Sequence, residues 1–226
     1  MSESPHPQSE PSNGRESSSR RAVLTGLGAT ALSLAAAGLV ATEAHGASPQ
    51  GKAPAPAAAQ LEAACVLTPE QTEGPYYLDL ETVRKNITEG KAGVPLTLRT
   101  TVIDTRTCAP IPNVAVDIWQ CDADGVYDNK TYTLRGKIQA DNKGRYELRT
   151  ILPPAYKVSD ERYRPAHIHL KLSAPGTPVL TTQLYFEGDK WNSVDKAYRK
   201  SLTINPHDGR NKSKVASFDF KLKVTA

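Results

Sequence analysis

Short runs of alternating apolar and polar residues recur from residue 94 to the end of the chain. This period of two is typical of half-buried β-strands, and clusters of Gly, Pro, Asn and Asp separate the runs. The pattern predicts eight strands, at 94–104, 114–121, 132–140, 145–152, 166–174, 179–188, 200–204 and 215–224. Helical periodicity is limited to one or two turns within residues 79–90. We therefore predict an all-β fold, an antiparallel β-sandwich of about eight strands with long active-site loops.

The first part of the chain has a different pattern. Residues 22–42 contain no charged residue, follow the basic pair Arg20-Arg21 and lead into a segment rich in small residues. An apolar stretch of about 20 residues is long enough to span a membrane, but these flanks are typical of a cleaved signal peptide. The paired arginines favour a twin-arginine-type signal peptide over residues 1–46. We therefore predict a secreted protein, free or associated with the cell surface, that has no membrane span after cleavage.

The next segment, residues 47–62, is rich in Ala and Pro and is predicted to be a linker. Residues 63–226 then form one predicted domain, which is long enough to bury a sizeable core. The net charge of +4 is modest, and Lys and Arg are scattered along the chain. The composition therefore gives no support to nucleic-acid binding.

The chain contains three cysteines, which allow at most one disulfide. Export to an oxidising environment makes such a bond feasible. Cys108 and Cys121 flank one predicted strand and would stand roughly 20 Å or more apart at ~3.3 Å per residue. A disulfide needs Cα atoms within about 7 Å. The bond would therefore use Cys65, and the sequence leaves open whether its partner is Cys108 or Cys121.

Two of the five histidines, His167 and His169, lie two residues apart in "RPAHIHLKL". On a strand, such residues project from the same face, which suits two imidazoles on one metal ion. The alternative is a pair of surface histidines. The charged and aromatic residues at 162–164 lead directly into the pair and favour the metal site. A zinc site would usually need a third His or a Cys nearby. His207 is the only other histidine of the predicted domain, and the three cysteines do not cluster.

Two tyrosines, Tyr127 and Tyr156, follow predicted strands and lie in loops, where sandwich folds build their sites. Each one alone would be interpreted as a packing or surface residue. Phenolate is a hard, anionic oxygen donor, and two phenolates beside two neutral imidazoles favour a trivalent cation, Fe(III). The bound ion would lower the pKa of both phenols, so that they bind without their protons.

Four further stretches identify a resemblance: "WQCDADGVYD", "LRGKIQADNKGRYELRTILPPAY", "YRPAHIHLKL" and "TTQLYFEGD". In this order they resemble the intradiol ring-cleavage dioxygenases, of the protocatechuate 3,4-dioxygenase and catechol 1,2-dioxygenase type. The segment "LTPEQTEGPYY", residues 67–77, is similar to the start of the catalytic domain in that family. The similarity extends from about residue 65 to 190. It implies a β-sandwich that holds a mononuclear non-haem iron.

The resemblance implies that one Fe(III) per chain is bound by Tyr127, Tyr156, His167 and His169. It also implies partners, a small catechol that binds the iron through both oxygens, and O₂. The tyrosine that matches Tyr156 leaves the metal and takes up a substrate proton. Both atoms of O₂ enter the product, a cis,cis-muconate-type dicarboxylic acid formed by way of a cyclic anhydride.

The same resemblance places Arg164 and Gln183 beside the metal, where an arginine stabilises developing ring charge. Each has an alternative interpretation, an ordinary salt bridge for Arg164 and a hydrogen bond at the core edge for Gln183. Tyr76 and Tyr77 are candidates for substrate contact at the pocket mouth, or packing residues. Trp119 lies inside a predicted strand and is interpreted as a core residue.

The chain also departs from the family. Pro153-Pro154-Ala155 stands where Pro-Gly is common before the second tyrosine, and the N-terminal helical dimerisation region of catechol 1,2-dioxygenases is missing. The identity of the catechol and the presence of a homodimer therefore stay open. Two alternatives to the dioxygenase remain, an exported β-sandwich binding module without catalysis and a copper or zinc enzyme built on the H-x-H pair.

Overall fold

The structure, a computed structural model, describes residues 65–225. The predicted signal peptide, 1–46, and linker, 47–62, lie outside this range. Eleven strands are described: β1 (Pro95–Asp104), β2 (Ala115–Trp119), β3 (Arg135–Gln139), β4 (Arg145–Ile151), β5 (Tyr156–Ser159), β6 (Arg162–Arg164), β7 (His167–Ser173), β8 (Leu180–Phe186), β9 (Thr203–Ile204), β10 (His207–Asp208) and β11 (Lys214–Leu222). A 3-10 turn at Lys200–Leu202 precedes β9. Between residues 65 and 225, no helix is long and apolar enough to cross a membrane.

Two sheets form the sandwich. One contains four strands in the order β10-β11-β1-β4, the other five in the order β3-β2-β7-β8-β9, and β5 and β6 form a separate hairpin. Both sheets contribute to one hydrophobic core, which includes Leu98, Val102, Leu148 and Phe220 from the first and Val116, Ile168, Leu170 and Leu184 from the second. The predicted β-sandwich is confirmed.

Strand direction differs from the prediction at two places, because β1–β11 and β8–β9 are parallel pairs. The period of two reports which face of a strand is buried and carries no information on direction. Two parallel neighbouring strands need a long connection between them, and β1 and β11 are separated in the chain by all the other strands. The fold is therefore a mixed sandwich in which antiparallel pairing dominates.

Residues 79–90 are extended and not helical. The backbone of Val83 pairs with Lys137 of β3, and that of Asn86 pairs with Arg149 of β4. Ile87 is fully buried. The segment therefore crosses the outer edges of both sheets and satisfies backbone groups that would otherwise face solvent. Its short apolar spacing reflects one buried contact and not a helical face.

The disulfide joins Cys65 to Cys108, with 5.9 Å between their Cα atoms. The predicted exclusion of a Cys108–Cys121 bond is confirmed, and Cys121 is a buried thiol. Residues 65–77, called here the N-terminal strap, run from this disulfide across both sheets. Its residue Thr68 donates its backbone N–H to the carbonyl of Lys221 at 3.0 Å. The disulfide thus anchors the start of the strap.

The double substitution Cys65→Ser/Cys108→Ser should lower the melting temperature measured by calorimetry. A cross-link between residues 43 apart in sequence contributes about 4 kcal/mol by restricting the unfolded chain, which corresponds to about 10 °C for a domain of this size. A reducing agent should lower the wild-type value similarly and leave the double variant unchanged. An equal effect of the reductant on both proteins would contradict this origin of the stability.

Candidate metal centre

Strand β7 presents His167 and His169 on the face opposite its core residues Ile168 and Leu170. Both imidazoles are nearly fully buried, with 1% and 2% exposure. Their Nε2 atoms are 3.1 Å apart. The Nδ1 atom of His167 lies 2.6 Å from the carbonyl oxygen of Pro165. Since a carbonyl only accepts, Nδ1 carries the proton and Nε2 of His167 keeps a free lone pair.

The environment keeps both imidazoles neutral. Burial, followed by the charge of Arg164, lowers the pKa of His167 to about 3. Burial also holds the pKa of His169 well below its usual value, with the charge of His167 acting in the same direction. Neutral imidazole is the form that binds a metal. The Nδ1 atom of His169 is buried and has no hydrogen-bond partner among residues 65–225.

Tyr127 and Tyr156 approach this pair from two sides. Tyr127 lies in the loop between β2 and β3, and its Oη is 3.3 Å from Nε2 of His167. The ring of Tyr156 is centred 5.5 Å from that of His167 and 5.6 Å from that of Tyr127. Tyr156 begins strand β5, so its predicted place in a loop is wrong. The structure brings the four sequence-predicted ligands together.

Burial is the main influence on both phenols and raises the pKa of Tyr127 and of Tyr156. Their hydroxyl groups also interact with each other, and the charge of Arg164 favours the ionised form of each. A cation held by the same oxygens would reverse the effect of burial and stabilise the phenolates. The four side chains are therefore neutral on their own, and the two phenols are suited to lose their protons only when a metal binds.

The donor set fits a ferric ion. Two imidazole nitrogens that bind one ion at about 2.1 Å stand about 3 Å apart when they subtend a right angle, and the observed separation is 3.1 Å. Two phenol oxygens complete a set of hard and intermediate donors. Among the described residues, no group of three or more His, Cys, Asp and Glu could hold a metal, and His207 is exposed on β10 in the other sheet. The donor set does not favour zinc or copper.

The N-terminal strap covers this centre. Gly74 lies over the ring of His169, where an added Cβ would be 3.6 Å from Cε1. Tyr76 stacks on Tyr127, with 4.2 Å between ring centroids. Tyr77 packs against Trp119 at 4.9 Å, under the ammonium group of Lys171. Both sequence-predicted contact candidates therefore border the centre, and each is held by another ring.

Trp119 is buried, as predicted, but not in the core between the sheets. It belongs to a second cluster with Cys121, Tyr127 and Tyr156. Its indole stacks on His169, with centroids 4.8 Å apart and planes within 11°. Trp119 and His169 are paired neighbours on β2 and β7. The indole therefore restrains the histidine ring, a role that the strand pattern alone could not indicate.

Arg164 and Gln183 occupy strand positions beside the candidate ligands. Arg164 pairs with Tyr156 across the β5–β6 hairpin, and Gln183 pairs with His169 across β7 and β8. The Arg164 guanidinium donates from Nη2 to Gln183 Oε1 at 2.8 Å and from Nε to Asp195 Oδ2 at 2.9 Å. Sequence reasoning missed Asp195, which lies in a loop that carries no recognisable motif.

A second missed residue is Gly125, which lies two residues before Tyr127 and packs against Tyr156. Its φ of +79° is one that glycine adopts readily, and an added Cβ would stand 2.7 Å from Cβ of Tyr156. The Asp122 carboxylate accepts the backbone N–H groups of Asp124 and Val126 and shapes this turn. The stretch "DADG" is a turn signal in the sequence, but the close approach to Tyr156 is visible only in the fold.

Comparison with known proteins gives a consistent result. A family model described as a dioxygenase matches residues 72–224. A chlorocatechol 1,2-dioxygenase from Cupriavidus pinatubonensis is 34% identical over 146 residues, which cover 54% of this chain and 56% of that protein. A chlorocatechol 1,2-dioxygenase from Pseudomonas sp. strain P51 is 33% identical over 174 residues, 67% of this chain and 68% of that protein. The chain thus spans a little over half the length of the first of these relatives.

Solved structures give the same answer. The dioxygenase domain of a dioxygenase carbohydrate-binding protein fusion from the cellulolytic bacterium Streptomyces sp. SirexAA-E has a TM-score of 0.64 and 39% identity, covering 70% of this chain and 99% of that one. The 3-chlorocatechol 1,2-dioxygenase from Rhodococcus opacus 1CP has a TM-score of 0.65 and 28% identity, covering 74% and 78%. The chain therefore belongs to the intradiol ring-cleavage dioxygenases.

The substitution Gly125→Ala should destabilise the domain through its contact with Tyr156. The matched control is Gly188→Ala, because Gly188 has a similar φ of +81° and no atom within 4 Å of an added Cβ. Both variants place an alanine at a positive φ and carry that backbone strain. Only Gly125→Ala also forces its Cβ against Tyr156, and this overpacking costs about 1–3 kcal/mol more. Urea denaturation measures the difference. Equal free energies of unfolding in the two variants would refute the close approach.

Proposed function

We propose that this protein cleaves a catechol-type aromatic ring with O₂, between the two hydroxylated carbons, at one Fe(III) per chain. The proposed ligands are Tyr127, Tyr156, His167 and His169. The observation that carries the proposal is the convergence of two Nε2 atoms and the Tyr127 hydroxyl within 3.3 Å. Membership of the intradiol family supports it. The proposed product is a cis,cis-muconate-type dicarboxylic acid.

Fe(III), when bound, withdraws electron density from the catechol and makes its ring carbon reactive toward O₂. The protein residues provide the remaining parts of the chemistry. Tyr156 Oη is the proposed acceptor of a proton from a catechol hydroxyl, the role that the family resemblance implies for the tyrosine at this position. Tyr127, stacked under Tyr76, is held in place and is proposed to remain a fixed phenolate ligand.

Arg164 is the proposed stabiliser of negative charge on the ring. Its guanidinium is fixed by Asp195 and Gln183, and Gln183 in turn donates from Nε2 to the carbonyl of Thr72 at 2.7 Å. A preorganised cation in a site that excludes water stabilises developing charge without a reorganisation cost. The hydrogen bonds between the Thr72 carbonyl and the Gln183 amide, and between that amide and the Arg164 guanidinium, therefore set the position of the positive charge beside Tyr156.

The substrate is proposed to be a catechol, with the precise ring substituents left to experiment. Curated relatives are named as chlorocatechol 1,2-dioxygenases and a catechol 1,2-dioxygenase. A non-catalytic binding module would have no use for four buried donors that meet at one point. A panel of catechols, assayed by O₂ uptake with product analysis, separates the candidates.

The purified wild-type protein should contain about one iron per chain, be red-brown from phenolate-to-iron charge transfer, and consume O₂ with a catechol. The substitution Tyr156→Phe should weaken the visible band and lower kcat by about 100-fold or more, since a proton acceptor typically contributes that much. Iron analysis, visible spectroscopy and an oxygen electrode measure the three effects.

The matched control is Tyr132→Phe, which removes the hydroxyl of an exposed tyrosine and should leave both band and rate within twofold of wild type, as expected for a surface site. A colourless wild-type protein that stays inactive after reconstitution with iron would refute the proposed function. An unchanged band in Tyr156→Phe would refute the ligand assignment alone.

We also propose that the protein is exported by the twin-arginine route and works outside the cytoplasm. The Arg20-Arg21 pair before an apolar stretch and the Cys65–Cys108 disulfide, a bond typical of exported proteins, support this. Arg20→Lys/Arg21→Lys should retain the protein in the cell, as shown by fractionation and immunoblotting. Arg15→Lys is the control and should leave export intact. Normal export of the double variant would contradict the route.

A further inference from the structure

Arg135, the first residue of β3, is a buried cation with 3% exposure. Within the described chain, no carboxylate oxygen forms a salt bridge with it inside 4.0 Å. Its guanidinium instead donates to two backbone carbonyls. Nε and Nη2 donate to the carbonyl of Asp128, with Nε at 2.7 Å, and Nη1 donates to that of Tyr76 at 2.6 Å.

The two carbonyls belong to the two segments that fix Tyr127. Asp128 directly follows Tyr127 in the sequence, and the ring of Tyr76 stacks on the ring of Tyr127. One planar fork therefore ties the backbone beside Tyr127 to the strap above it. A lysine at this position would have a single nitrogen for both carbonyls.

A cavity of about 190 Å³ lies against this loop and is lined by Val126, Tyr127, Asp128 and Thr133, among others. The Asp128 carboxylate is occupied by its own turn, where it accepts the backbone N–H groups of Lys130 and Thr131. The hydrogen bonds from Arg135 therefore connect the backbone of the loop to the strap, in addition to the stacking of Tyr76 on Tyr127.

We propose that Arg135 is a positioning residue for Tyr127, one that fixes the phenol oxygen through both neighbouring segments. The proposal rests on the proposed function, since it assigns Tyr127 as an iron ligand. A buried cation without a carboxylate partner is costly, and the donors of Arg135 are satisfied here by the two backbone carbonyls on either side of Tyr127.

The test compares Arg135→Met with Arg84→Met. Arg84 is the control because it is also partly buried and donates to two backbone carbonyls, those of Tyr132 and Arg135, and in addition it pairs with the Glu89 carboxylate. It contacts neither Asp128 nor Tyr76 through any of these bonds. Both variants should lose stability, and only Arg135→Met should change the environment of Tyr127.

In the iron-loaded protein, Arg135→Met should weaken the visible band, because a Tyr127 that is held less firmly binds the ion less well. It should lower kcat by about tenfold or more with a smaller change in KM, as misplacement of one ligand does. Arg84→Met should keep the wild-type band. Arg135→Lys, which retains the charge and loses the fork, should weaken the band as Arg135→Met does, and a wild-type band in Arg135→Lys would overturn the role of the fork.

In the metal-free protein, hydrogen exchange provides a readout that is independent of iron. Arg135→Met should speed exchange at residues 74–77 and 125–128 about tenfold, and Arg84→Met should not. Equal bands and equal exchange in the two methionine variants would overturn the role of Arg135. A wild-type protein that binds no iron would overturn the proposed function instead, and exchange alone would then decide whether the fork holds the loop.

Discussion

The two faces of strand β7 are the constraint on which the centre depends. Ile168 and Leu170 enter the core between the sheets, and this places His167 and His169 together on the other face. The neighbouring strands repeat the arrangement, so that Trp119 and Gln183 flank His169 in register. A slip of one residue would exchange the two faces and bury the imidazoles among aliphatic side chains. The energy of the hydrophobic core therefore also fixes the positions of the two imidazole donors.

Burial and nearby positive charges have opposite effects on the phenols of the centre. Burial disfavours every charged form, which leaves the imidazoles and phenols neutral. Two guanidinium groups border the phenols, Arg164 held by side chains and Arg135 by carbonyls. Binding of a trivalent cation would then expel phenol protons, so that affinity for the metal would rise with pH until the phenolates form freely. The surrounding charges are arranged to stabilise the anions that the cation creates.

Much of this could be predicted from the sequence, for identifiable reasons. The alternation of apolar and polar residues predicted the sandwich and the shared face of His167 and His169. The positions of Tyr127 and Tyr156 after predicted strands made them candidates, and the family resemblance then implied that all four residues are ligands. Contacts between distant segments carry no local pattern, so strand direction, the stacking of Trp119 on His169 and the anchor at Asp195 could not be predicted. The helix-like spacing of apolar residues within 79–90 was misleading, because the segment buries Ile87 without forming a helix.

The N-terminal strap has a consequence for the order of folding. Its hydrogen bonds to β8 join residues 111 to 114 positions apart, as between Thr72 and Gln183 or Gln71 and Tyr185. The strap is synthesised early, so it can form these hydrogen bonds only after the chain has been synthesised as far as β8. The cover over the centre can therefore close only once β8 has been made, and β8 pairs with the strand that carries the histidines.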